Sequence, residues 1–256
     1  MSRQRTKRSA SMRVSTARRA RALILGFLPP LALMIAVRVA FAEAYRIPSG
    51  SMIPTLLVGD WLFVNKLRFG PHIPFTKVNL PGYAEPRRGD VVVFASPPQD
   101  PAIRISPDEV TPTLVKRIVG APGDTLFMRG GVLFVNGTAS PATSGPAVAS
   151  GESSAQPSPL FRWQHLIETN ASRFGAAPAQ PTPHDWGPLV VPPREFFMLG
   201  DNRDDSIDSR YYGIVPRENI RGAPMFVYYS YDTEDGLDYF RAITEIRWAR
   251  LGHWIR

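Results

Sequence analysis

Residue types with chemical potential gather at three places in this chain. The first is Ile47-Pro48-Ser49-Gly50-Ser51-Met52-Ile53-Pro54-Thr55, where two serines flank a glycine between prolines. Pro48 and Pro54 fix φ and remove two backbone donors, so the stretch predicts a stiff turn and not helix interior. Gly50 permits close backbone approach. A serine on such a turn can present its hydroxyl to a cleft as a nucleophile. A Ser/Gly/Pro linker has the same composition, and the turn alone leaves both readings open.

A nucleophilic serine needs a base. The four histidines, His72, His165, His184 and His253, lie in Pro-rich or low-complexity sequence or near residue 256. None stands in a strand-and-turn context beside an aspartate, which argues against a Ser-His-Asp triad, and they are too scattered to predict a metal site. Lys116 is the better candidate. It lies inside the apolar run 114–119 beside Arg117, and strand alternation sends the two side chains to opposite faces. To act as a base, a lysine must be neutral. Its pKa must fall from about 10.4 by about two to three pH units, at a cost of about 3–4 kcal/mol. Burial among Leu114, Val115, Ile118 and Phe127 would supply this. A lysine placed on an edge strand to deter aggregation is the alternative. The third place is the segment 199–213, which follows an apolar run and mixes Gly200, Asp201, Asn202, Arg203, Asp204, Asp205, Ser206, Asp208 and Arg210. Asp–Arg pairs and Asx turns can hold such a loop rigid, as one wall of a site.

The elements that must position these residues follow from composition and charge. With 256 residues and 44% hydrophobic content, the chain can bury a sizeable core. It has no cysteine, which excludes disulfides, a thiol nucleophile and thiolate metal sites. Residues 1–21 carry Arg3, Arg5, Lys7, Arg8, Arg13, Arg18, Arg19 and Arg21 and no acid, which equals the whole net charge of +8. The rest sums to zero, so no nucleic-acid-binding fold is expected. A basic tail ahead of an apolar run reads as a topology signal. Residues 22–42 are apolar apart from Gly26, Pro29, Pro30 and Arg38. As helix they span about 31 Å, near the hydrocarbon thickness. We expect a cytoplasmic tail (1–21), a membrane anchor kinked at Pro29-Pro30 (22–42) and an extracytoplasmic domain (43–256), in contact with membrane lipid. Cleavage after the small-x-small pattern Ala40-Phe41-Ala42 is the rival reading.

Beyond Asp60 the pattern is of short apolar runs between turn residues: 61–64, 91–94, 114–119, 125–128, 132–135, 195–199 and 225–229. Arg129-Gly130-Gly131 between two of them predicts a β-hairpin. The fold class is mainly β. Residues 137–193, rich in Ser, Ala, Pro and Gly, read as a peripheral excursion from the core, with a short helix or strand at 161–167. Residues 240–256, aromatic and basic together, read either as a membrane-interface segment or as an amphipathic helix packed on the core.

Taken in order, the stretches 47–55, 59–60, 88–94, 116–124 and 200–210 resemble the five motif boxes of type I signal (leader) peptidases, behind a basic tail and anchor. The resemblance implies a membrane-anchored Ser-Lys endopeptidase that removes signal peptides from exported preproteins and uses no cofactor or metal. It implies coiled antiparallel β-sheets behind an N-terminal transmembrane helix in the cytoplasmic membrane. Ser51 matches the nucleophile and Lys116 the general base. Ser49, with the Ser51 N–H, matches the oxyanion donors. Ser206 matches the serine that orients the lysine, and Asp201, Arg117, Arg210 and Asp208 match the charged brace. The strand Asp90, Val91, Val92, Val93 and Phe94, together with Met52, is expected to contribute to the substrate cleft. A related Ser-Lys processing protease of pilus or conjugation type and a catalytically silent anchored β domain are the alternatives.

Overall fold

A computed structural model describes residues 25–31, 33, 34, 43–71, 80–104, 106–140, 178, 181–233 and 241–256. The chain divides into two units, residues 1–42 and 43–256. In the first, residues 25–31, 33 and 34 are helical. Among the described residues no helix is long and apolar enough to cross a membrane. Most of the expected span 22–42 lies outside the described residues.

The second unit is built from antiparallel strands. They are β1 (Glu43–Arg46), β2 (Asp60–Asn65), β3 (Val91–Ala95), β4 (Thr113–Gly120), β5 (Thr125–Arg129), β6 (Val132–Val135), β7 (Thr138–Ala139), β8 (Trp186–Val190), β9 (Glu195–Leu199), β10 (Val215–Pro216) and β11 (Ile220–Ser230). One sheet has the order β1-β2-β11-β3-β4-β9-β10 and the other β7-β6-β5-β8. Each of the seven apolar runs read from the sequence is a strand. The Gly130–Gly131 turn closes the expected hairpin with φ of 54° and 79°, the left-handed region that a two-residue hairpin turn demands. β11 pairs with both β2 and β3 and shifts register three times along its length. Such irregularities bend a strand, and here they curl the larger sheet.

Three apolar clusters form the core. Val92, Phe94, Ile118 and Met198 fill one within the larger sheet. Ile47, Met52, Leu56, Leu62, Val91 and Val227 fill another beneath the Ser51 turn. The third joins the two sheets through Leu126, Leu133, Trp186, Leu189, Phe197 and Leu199.

This third cluster corrects the reading of 137–193 as wholly peripheral. Trp186 is fully buried and stacks on Phe197 with ring centroids 5.0 Å apart, and β8 pairs with β5. The Pro188 in β8 disguised the strand. It is tolerated because β8 is an edge of its sheet, where a missing N–H goes unmissed. The expected element at 161–167 lies outside the described residues. Residues 241–256 do not form a single amphipathic helix, one of the two readings of this segment. They contain two short turns, Arg241–Thr244 and Trp248–Arg250, and then run beside β11, where Val227 N–H donates to His253 O at 3.0 Å and Ile255 N–H to Met225 O at 2.9 Å. Ile255 packs on the cluster beneath the Ser51 turn.

Truncating Trp186 to Ala is expected to lower the unfolding free energy by about 3–5 kcal/mol, because the cavity opens between the sheets. Urea titration followed by fluorescence or circular dichroism measures it, and a loss below about 1 kcal/mol would contradict this packing.

Candidate active site

Ser51 sits on a one-turn 3-10 element, Gly50–Met52, entered through Ser49 in extended conformation. Proline on either side keeps this turn from extending into a longer helix. The Ser49 side chain makes no capping hydrogen bond, which leaves its hydroxyl for other work. Lys116 comes from the middle of β4, opposite Val92 of β3. Its Nζ lies 2.5 Å from Ser51 Oγ, with Lys116 3% and Ser51 7% exposed. Sequence positions 65 residues apart thus meet in one buried contact.

Burial brings the Lys116 pKa down to about 8 from 10.5; Asp208 opposes this, Arg210 adds to it, and Asp205 and Asp201 oppose it further. The two buried carboxylates that act on Lys116, Asp208 and Asp201, are each matched by an arginine. Arg210 Nε and Nη2 both donate to Asp208 at 2.9 Å, and neither residue is more than 1% exposed. Burial raises the Asp208 pKa, but the guanidinium outweighs it and holds the carboxyl below its usual range. Arg117 Nε and Nη2 donate to Asp201 at 2.8 Å each. Asp201 also accepts from Thr55 Oγ1 at 2.6 Å. It therefore ties the strand that carries Lys116 to the segment that carries Ser51.

The loop from 200 to 210 closes over the turn. Asn202 N–H donates to Ser51 O at 3.1 Å and Asn202 Nδ2 to Gly50 O at 3.3 Å. Gly200 N–H donates to Asp208 at 3.1 Å. A Cβ on Gly200 would meet Ser206 Oγ at 2.2 Å and Ser51 O at 2.5 Å, so only glycine allows this approach. Ser206 Oγ is buried and has no hydrogen-bond partner among the described residues. Such a donor is costly unless something in the working site uses it.

Beside the Ser51–Lys116 contact lies a cleft of about 250 Å³ lined from β1 by Tyr45 and Arg46, from the turn by Ile47, Pro48, Ser49, Ser51 and Met52, and from β4 by Thr113 to Lys116. β1 is an edge of its sheet. β4 pairs with β9 only from Arg117 onward, so among the described residues no strand takes its second edge at Thr113–Lys116. The cleft runs between these two open edges.

The structure brings together Ser49, Ser51, Lys116, Arg117, Asp201, Ser206, Asp208 and Arg210. It does not bring Asp90–Phe94 to the cleft, and Met52 alone of the expected cleft residues lines it. β3 lies between β4 and β11, and Val91, Val92, Val93 and Phe94 are buried in the core. Asp90 instead accepts from Arg68 at 2.8 Å and from Arg87 N–H at 2.9 Å. β4 takes one edge of β3 along its length, and β11 takes the other at Val93 and Phe94. The cleft residues of β1 carried no motif, whereas the roles of Thr55 and Asn202 lay within stretches already noted.

A serine hydroxyl against a buried amine, at the end of a cleft with two open strand edges, has the form of a peptide hydrolase. The family described as signal peptidase, peptidase S26, matches residues 20–229. The signal peptidase I of Pseudomonas fluorescens is 36% identical over 224 residues, 80% of this chain and 71% of that protein. That of Pseudomonas aeruginosa is 34% identical over 224 residues, with the same shares. That of Leptolyngbya laminosa is 33% identical over 190 residues, 74% of this chain and 70% of that protein. The chain belongs to the peptidase S26 family and is a serine endopeptidase.

Holding Lys116 in this site lowers stability. Its folded pKa of about 8 lies below the unfolded 10.5, so the penalty is complete below pH 8 and fades as pH rises toward 10.5. Lys116→Met is expected to raise the unfolding free energy at pH 7 by about 2–3 kcal/mol, with the gain shrinking by pH 10. Urea titrations at both pH values test this, and a Lys116→Met protein less stable than wild type at pH 7 would refute it.

Proposed function

We propose that this peptidase removes N-terminal signal peptides from exported preproteins, with Ser51 as nucleophile and Lys116 as general base. The observation that carries the reading is the buried 2.5 Å approach of Lys116 Nζ to Ser51 Oγ. A lysine whose pKa has been brought to about 8 is part neutral near pH 7 and can take a proton. The neutral amine accepts the Ser51 proton as Oγ attacks the scissile carbonyl. The Ser51 N–H and the Ser49 hydroxyl stabilise the oxyanion. The C–N bond breaks, the departing amine takes the proton from Lys116, and water then hydrolyses the acyl-enzyme with Lys116 again as base. Ser206 is assigned to orient the Lys116 amine. The pairs Asp201–Arg117 and Asp208–Arg210 brace the site.

The substrate adds as an extended strand between the open edges of β1 and β4, held by main-chain hydrogen bonds with side chains in shallow pockets. Small residues such as Ala at positions −1 and −3 suit a cleft of this size. The family match begins at residue 20, inside the basic and apolar stretch. We assign residues 22–42 as a single membrane span with the basic tail cytoplasmic and the catalytic domain outside. The signal peptidase I relatives support the substrate class.

Purified protein assayed on a preprotein with an Ala-x-Ala site tests the assignment. Ser51→Ala and Lys116→Ala are expected to abolish cleavage, and Ser49→Ala to slow it by about 10²–10³-fold. Wild-type rates in the first two variants would sink it. The sign of the Lys116 shift also fixes the pH profile: the rate rises with pH as the amine loses its proton, with its midpoint near pH 8. A maximum near pH 5 would rule out a lysine base.

A further inference from the structure

The closing segment, residues 245–256, belongs to none of the motif stretches, yet it grips the chain that carries the nucleophile. Arg250 Nη2 donates to the Thr55 carbonyl at 3.1 Å and also to Asp60, its ion-pair partner, while Nε reaches Asp60 at 3.4 Å. The Arg250 side chain is 15% exposed and that of Asp60 fully buried. Asp60 in turn accepts from Leu57 N–H at 2.8 Å. Arg247 Nη1 donates to the Val58 carbonyl at 2.8 Å. The connection between the Ser51 turn and β2 is therefore held from outside by two arginines.

Thr55 is the point where this grip meets the site. Its carbonyl is held by Arg250, and its hydroxyl donates to Asp201, the carboxylate paired with Arg117. Leu56 N–H donates to Met52 O at 2.9 Å, so the residue after Thr55 is bonded back onto the serine turn itself. A shift of Thr55 would move Ser51 relative to Lys116, whose strand is fixed independently by β3 and β9.

We propose that Arg250 is a positioning residue for Ser51, acting through Thr55, and that the closing segment is thereby part of the catalytic apparatus. A misplacement of about 1 Å in a reacting group can cost about 10²-fold in rate, so a loosened clamp acts on kcat. The substrate cleft is lined by β1, the turn and β4, so KM is left largely unchanged.

Two variants separate positioning from mere stability. Arg250→Met alone strands the buried Asp60 carboxylate and lowers stability as well as rate. Arg250→Met combined with Asp60→Asn removes both charges, keeps an acceptor for Leu57 N–H and is expected to recover most of the melting temperature. It still leaves the Thr55 carbonyl unheld, and kcat on the Ala-x-Ala preprotein is expected to stay about 10–100-fold down with KM within about threefold. Arg250→Lys, which keeps a charge beside Asp60 but offers no fork, is expected to fall between this variant and wild type. Any folded variant at position 250 that lacks the guanidinium and retains wild-type kcat overturns the proposal, as does a loss confined to KM. The inference rests on Ser51 as nucleophile. Failure of that reading is seen separately, as wild-type cleavage by Ser51→Ala.

Discussion

An ammonium group is driven to water, and the site depends on keeping one out of it. Lys116 reaches Ser51 in a place where neither is much exposed, and burial is the largest influence on its proton affinity. Carboxylates fix the surrounding loops, and Asp208, Asp205 and Asp201 each favour the charged form of Lys116. The structure resolves this conflict by pairing. Asp208 is bonded on both oxygens by Arg210, and Asp201 by Arg117. At Lys116 Asp208 and Arg210 act with opposite sign, and burial outweighs the carboxylates that favour the charged amine. Charge-rich sequence around a lysine of lowered pKa is then no contradiction, because Arg210 and Arg117 pair with the buried carboxylates beside it.

Rigidity of the two reactive groups comes from separate sources that meet at one carboxylate. Lys116 inherits its position from the interior of a sheet, paired on one side with Val92. Ser51 is on a single turn with little structure of its own. It is held by the Asn202 amide from above and by the Met52 and Leu56 side chains from below. Asp201 joins them by accepting from both Arg117 and Thr55. The loop 200–210 thus works as a lock across two elements that share no strand pairing.

The parts of this arrangement legible in the sequence were those set by local chemistry. Short apolar runs between turn residues gave the strands, Gly130-Gly131 gave the hairpin, and the lysine within an apolar run marked the residue whose amine meets Ser51. Pairing partners were not legible, since they depend on which edges remain free after folding. Val91–Phe94 look like a cleft strand, but all four are buried in the core, and β11 returns from more than 120 positions away to pair with Val93 and Phe94. Trp186 was hidden by Pro188 and by the low-complexity sequence before it. Arg250 lacked any local signal, since its partners Thr55 and Asp60 lie 195 and 190 residues away.

The two open strand edges along the cleft have a consequence for timing. A ladder site accepts only a segment whose own amides and carbonyls are not yet engaged. A helix, or a strand already within a sheet, presents none. Selection by such a cleft is thus a test of conformation before it is a test of sequence. The same segment fits such a cleft while extended and unpaired, and no longer fits once folded into a domain. The catalytic unit therefore favours processing before the exported chain completes its own fold.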